Sequence, residues 1–161
     1  MPDTPEEKRE APASFLPRRA ASSVRPRGQS SPAPGEAIYE AVFRYQLDQL
    51  VADQSHLSRY YLALQGHDPS PAIMDQFCTL APWVQPLSQC RVSARDGVTD
   101  RKTGAEGLIV EVGSLHWLHE TAVDVVGGCY EAPWRATARR YRVEYDGERW
   151  VVTRASDLWK I

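Results

Sequence analysis

From residue 36 onward the chain divides into stretches where apolar residues recur at helical period and stretches where they alternate. "EAIYEAVFRYQLDQLVADQ" has no Gly or Pro; it sets Ile38, Val42, Tyr45 and Gln49 on one line, with Tyr39, Phe43, Leu47 and Leu50 beside it. So broad an apolar face predicts a long helix that packs on something wide, such as a sheet. "LSRYYLALQG", aromatic-rich and ended by Gly66, reads as a strand. "DPSPAIMDQF" offers Ser70 as N-cap and Pro71 at the first helical position, with Ile73, Met74 and Phe77 apolar, and predicts a short second helix ended by Pro82 and Pro86. Strands "LSQCRVSA" and "GLIVEVGSLHWL" then flank "RDGVTDRKTG", a loop dense in Gly, Asp and Thr. "TAVDVVGGCYE", "ATARRYRVEY" and "RWVVTRASDLW" follow, the last two joined by Asp146-Gly147, a hairpin signal. The order α-β-α-β-β-β-β-β predicts an α+β domain. In it a long N-terminal helix and a short second helix pack on a curved, mostly antiparallel sheet of five to six strands.

Residues 1–35 differ in kind. They hold seven of the twelve prolines and a single aromatic, Phe15. Such a segment cannot bury enough apolar surface to offset the entropy of ordering, so a disordered tail is expected there and one domain over 36–161. Charge splits the same way: six Lys/Arg against four Asp/Glu in the tail, thirteen against seventeen in the domain. Neither part is basic enough to neutralise several phosphates at once, which argues against nucleic acid as a partner. No apolar run approaches the ~20 residues that span a bilayer, and the N-terminus lacks the apolar core of a signal peptide. The expectation is a cytoplasmic protein, exported only if the true start lies upstream. Cys78, Cys90 and Cys129 are an odd number without a C-x-x-C pair, as befits free thiols. A Cys90–Cys129 bridge stays open for an exported chain.

At this level the chain resembles the nuclear transport factor 2-like superfamily of cone-shaped domains and their cystatin-like relatives. The resemblance spans 36–161 and is carried by the two helices followed by a meander ending in "YRVEYDGERWVVTRASDLW". It implies a cone that holds a small-molecule pocket or an enzyme site, in a superfamily where many members only bind or dimerise. It also implies that the back of the sheet is a homodimer surface, for which Trp117, Trp150 and Trp159 are the candidates.

The chemistry-bearing residues are few. His116 and His119 in "HWLHE" would share a face on a helix, but a spacing of three on a strand sends them to opposite faces, and no metal site is expected. His116 shares parity with Leu108, Val110 and Val112, so unbroken alternation would turn it toward the core, while His119 and Glu120 fall in a turn. Thr137, Arg139, Tyr141, Val143 and Tyr145 share one face of their strand, with Arg139 placed to snorkel to the rim and hold a carboxylate. His116, Arg139, Tyr141 and Tyr45 are therefore the candidate pocket residues. Each has a plainer reading: a satisfied core-edge histidine, a rim charge, and packed aromatics.

Two functions compete. One is a non-catalytic module that binds a small molecule or a protein. The other is an isomerase, dehydratase or cyclase in the same cone, which would need a base and an oxyanion donor inside an apolar pocket. His116, Asp124 and Tyr141 are the only inner polar candidates, and Asp124 has the parity of the outer face. Without a base–donor pair, no catalytic residue and no cofactor is expected, and the binding module is the preferred reading.

Overall fold

The computed structural model describes residues 14–16, 35–53, 57, 59–78 and 83–161. Of the expected tail, residues 14–16 and 35 are therefore described, and the rest lies outside the described residues. The elements are α1 (Gly35–Ala52), β1 (Tyr60–Leu64), α2 (Pro71–Cys78), β2 (Val84–Pro86), β3 (Cys90–Ser93), β4 (Gly97–Asp100), β5 (Leu108–His119), β6 (Ala122–Ala132), β7 (Arg135–Tyr145) and β8 (Trp150–Lys160). The fold is α+β, and both helices form where the apolar period placed them. The Ser70 hydroxyl accepts the Ile73 backbone N–H at 3.3 Å, so Ser70 caps α2 and Pro71 opens it.

Six strands form one sheet in the order β2-β1-β5-β6-β7-β8. β1 pairs in parallel with both β2 and β5, and the remaining pairs are antiparallel. α2 supplies the crossover that lets β2 run parallel to β1, whereas β5 to β8 need only tight turns. Three strands differ from expectation. "LSQCRVSA" contributes β3 to a separate two-stranded hairpin with β4, taken from the stretch read as a loop, and the sixth strand of the sheet is the three-residue β2.

The sheet's first face carries the main core. Leu108, Val110, Val112, Val123, Val125, Tyr141 and Val143 meet Ile38, Val42, Phe43 and Leu47 of α1. Phe43 is wholly buried and meets Phe77 of α2 edge-on, with ring centroids 6.1 Å apart. Removing an aromatic ring from such a position costs on the order of 3–5 kcal/mol. On the second face Tyr61, Ala63 and Ile109 pack with Leu87, Cys90 and Val98, so the β3–β4 hairpin covers the β1–β5 end of the sheet. β1, with Tyr60 and Leu62 inward and Tyr61 and Ala63 outward, is buried on both sides.

Alternation breaks within β5. Val112 pairs with Gly127 but Leu115 pairs with Val125, so an extra residue is accommodated at Gly113–Ser114. Gly113 suits the bulge, because a Cβ there would stand 2.8 Å from the Val126 carbonyl oxygen. Beyond it Leu115 and Trp117 turn to the first face, and His116 turns away. Trp117 meets Trp150 edge-on at 5.7 Å, and both pack against the main core. This corrects their assignment to an outer dimer face. Trp159, half-buried and in register with Ala138, is on the second face. All three cysteines are free. Cys129 packs on the first face and Cys90 in the second-face cluster, so the sheet itself separates them. Among the described residues no helix is long and apolar enough to cross a membrane.

Candidate functional site

The second half of α1 leans over the first face of β6, β7 and β8 and leaves a cleft of about 440 Å³. Gln46, Gln49, Leu50 and Asp53 line it from the helix; Cys129, Thr137, Arg139, Tyr141 and Asp157 line it from the sheet. The floor follows from the helical period. Gln46 lies four residues after Val42 and three after Phe43, so α1 turns its amide inward with the apolar stripe, and the side chain is buried. Its Nε2 donates to the Glu111 carbonyl oxygen at 3.2 Å, which fixes the orientation of the amide and leaves Oε1 buried with no hydrogen-bond partner. The opposite residue is Gly127, where a Cβ would come within 2.8 Å of that Nε2. A larger residue there would push the amide out.

Tyr141 is buried beside it, and its ring meets that of Tyr45 edge-on at 5.7 Å. Burial raises the Tyr141 hydroxyl well above the usual tyrosine value, with Gln46 and Arg139 opposing the rise. Cys129 keeps some surface open to the cleft, yet desolvation pushes its thiol up to about 12 against the pull of Arg139. At neutral pH the floor is therefore an uncharged hydrogen-bonding surface of amide, phenol, thiol and Thr137 hydroxyl. Four of the cleft's charges form two ion pairs, and Asp53 and Lys160 also line the cleft. The Arg139 Nε donates to Asp157 Oδ1 at 2.7 Å, and Arg135 pairs with Glu131 at 3.2 Å.

Arg139 and Tyr141 thus share one cleft, with Tyr45 packed on Tyr141 just behind the lining. The carboxylate that Arg139 holds is the chain's own Asp157. His116 does not join them. It is exposed on the second face, in register with Asp124, because the bulge at Gly113–Ser114 inverts the parity on which the inward reading relied. Asp124 faces out as its parity indicates and accepts from Arg142 Nε at 2.5 Å. His119 ends β5, exposed, with its Nδ1 3.4 Å from the Thr121 backbone N–H. Among the described residues no group of three or more His, Cys, Asp or Glu could hold a metal ion. Gln46 and Asp157 are the site residues that sequence reasoning passed over. An amide at helical spacing within an apolar stripe was the signal for the first; the second depends on cross-strand register and left none. Comparisons of the chain with family models, curated proteins and solved structures find no match.

Proposed function

We propose that this chain is a non-catalytic binding module of the nuclear transport factor 2-like type, whose cleft takes a small, uncharged, hydrogen-bonding molecule. The element order supports the class: a long helix across a sheet, a β-α-β insertion, then a long meander. The observation that carries the ligand chemistry is the neutral polar floor, beneath a rim on which both arginines are already paired. Arg139 and Arg135 are already engaged by Asp157 and Glu131, which leaves Lys160 and Asp53 as the other charges of the lining, while a neutral ligand needs only to replace water at Tyr141, Thr137 and Gln46 on the floor. Binding is favoured over isomerase, dehydratase or cyclase chemistry because the two titratable floor groups, Tyr141 and Cys129, hold their protons at neutral pH. Two carboxylates at the mouth are already ion-paired.

A ligand-observed magnetic-resonance screen of neutral amides, polyols and hydroxylated rings, alongside small carboxylates, tests this. Neutral hits should shift the Gln46 side-chain amide and the Thr137 backbone resonance. Tyr141→Phe should weaken them about five- to tenfold, the worth of one hydrogen bond. Hits confined to carboxylates, or mapping to the second face, would refute the reading.

A further inference from the structure

The second face of the sheet carries a different feature, where three residues of the N-terminal segment lie in a groove. Its floor is bare backbone at Gly113 and Gly128. Leu16 fills the space above, with Cδ1 3.4 Å from where a Cβ at 113 would stand and Cδ2 3.2 Å from one at 128. Leu16 is 5% exposed, although it belongs to the stretch whose composition predicts disorder. Phe15 lies against Tyr130, ring centroids 5.4 Å apart and inclined by 37°. Ser14 packs against Gly66, its backbone N 3.0 Å from a Cβ built there. Under the segment is Glu111, 1% exposed, with Oε1 lacking any hydrogen-bond partner. Burial raises its carboxyl, and the Ser14 side chain with the Phe15 and Gly66 amides opposes the rise.

Two observations mark this contact as a ligand in a site rather than as ordinary core. The fit is incomplete: a space of about 150 Å³ remains between segment and sheet, bounded by Phe15, Ala63, Leu87, Ile109, Glu111 and Tyr130, beside the unpartnered carboxyl oxygen. The segment is also isolated in sequence. Phe15 and Leu16 are the only aromatic residue and the only leucine before α1, followed by "PRRAASSVRPRGQSSPAP", a composition typical of linkers. We propose that the second-face groove is a peptide-binding site and that Ser14-Phe15-Leu16 is its tethered occupant, which an external peptide bearing the same small polar, aromatic and aliphatic triplet can replace. The aromatic residue is read by Tyr130, the aliphatic one by the gap over Gly113 and Gly128, and the backbone N–H groups by the Glu111 carboxyl. A ligand joined to its site by a linker of this length is held at about millimolar effective concentration, so an external peptide competes poorly until the resident segment is released.

The test uses the full chain and a fluorescein-labelled peptide of residues 11–19, followed by anisotropy. Wild type should bind it weakly. Leu16→Asp, which expels the resident segment, should bind it at least tenfold more tightly, and a peptide with Ala at the Phe and Leu positions should not bind. Equal affinity for both chains, or no binding to a folded Leu16→Asp chain, overturns the proposal. Should that variant fail to fold, methyl magnetic resonance on wild type decides: cross-peaks from the Leu16 methyls to the Gly113 and Gly128 α-protons must be present and must fade as unlabelled peptide is added. Their absence, or their persistence at millimolar peptide, overturns it. So does a dimer in light scattering that Leu16→Asp dissolves, since the segment would then come from a second copy.

Discussion

The Tyr61–Asp100 contact joins the sheet to the β3–β4 hairpin, and its energy follows from its geometry. The Tyr61 hydroxyl, on the second face of β1, donates to Asp100 Oδ2 at 2.6 Å. Asp100 Oδ1 accepts from the backbone N–H of Lys102 and of Thr103, each at 2.9 Å, and so closes the turn after β4. Arg59 stands 3.6 Å away. The hydrogen bond from Tyr61, then that from Thr103, hold the Asp100 carboxyl down from 3.8 to about 2. That difference corresponds to roughly 2 kcal/mol of folding free energy linked to the ionised form. Because the folded-state value is depressed, this stabilisation is complete above pH 4 or so and is lost as pH falls through about 2. Tyr61→Phe removes the shortest of these bonds and should cost about 1–2 kcal/mol. Asp100→Ala leaves a buried hydroxyl and two turn amides without an acceptor and should cost about 3 kcal/mol. Since both changes break the same bond, the double variant should fall short of the sum by about 1 kcal/mol. Urea unfolding at pH 7 measures this, and repetition near pH 2 should shrink the shortfall. Additivity within about 0.3 kcal/mol at pH 7, or a shortfall indifferent to pH, would show that the two side chains are neighbours without being coupled.

His116→Ala and His119→Ala should each change stability by less than about 0.5 kcal/mol in the same assay, since both side chains are exposed; a cost above 1 kcal/mol at His116 alone would restore an inward reading. Glu111→Gln should stabilise the fold at neutral pH, by on the order of 1 kcal/mol, because the buried carboxylate has one unpartnered oxygen. The Glu111 carboxyl is raised by burial, so its ionisation weakens the fold as pH climbs above the ordinary value of 4.5, and the advantage of Gln should fade as pH falls toward 4. A gain that is independent of pH in thermal melts between pH 4 and 8 would contradict this.

The elements that sequence made legible are those in which one local signal dominates. The apolar period of 36–54 gave α1 to within two residues, Ser70-Pro71 gave the start of α2, and Asp146-Gly147 gave the β7–β8 turn. β2 and β4, the partner that makes β3 a hairpin, were not legible for a shared reason. Strands of three or four residues carry too few alternations to show a period, and the Gly-Asp-Thr density around β4 signals turns wherever its backbone pairs. Phe15 and Leu16 were hidden differently. Composition over 35 residues describes an average, and two apolar side chains that find a bare glycine floor do not alter it. In the cleft, Arg139 and Tyr141 were legible because β7 alternates without interruption from Thr137 to Val143. Asp157 was not, since its place beside Arg139 depends on a register shift at the end of β8.

The displaced residues trace to bulges rather than to a wrong fold. A slip of one residue sends every later side chain of a strand to the other face. In β5 the slip at Gly113–Ser114 exchanges His116 for Leu115 and Trp117 on the core side. In β8 the pairing of Arg142 with Arg154, but of Val143 with Val152, accommodates an extra residue at Thr153. Trp150, Val152 and Ala155 therefore all pack on the first face, although they span both parities. Apolar residues on both parities suggest a strand covered on both sides, and hence a partner over the outer face. Across a bulge the same pattern needs only one cover, because the parities exchange where the extra residue enters. The Trp117–Trp150 contact satisfies the apolar surplus within the chain, so the tryptophan count of the late strands gives no reason to require a second subunit.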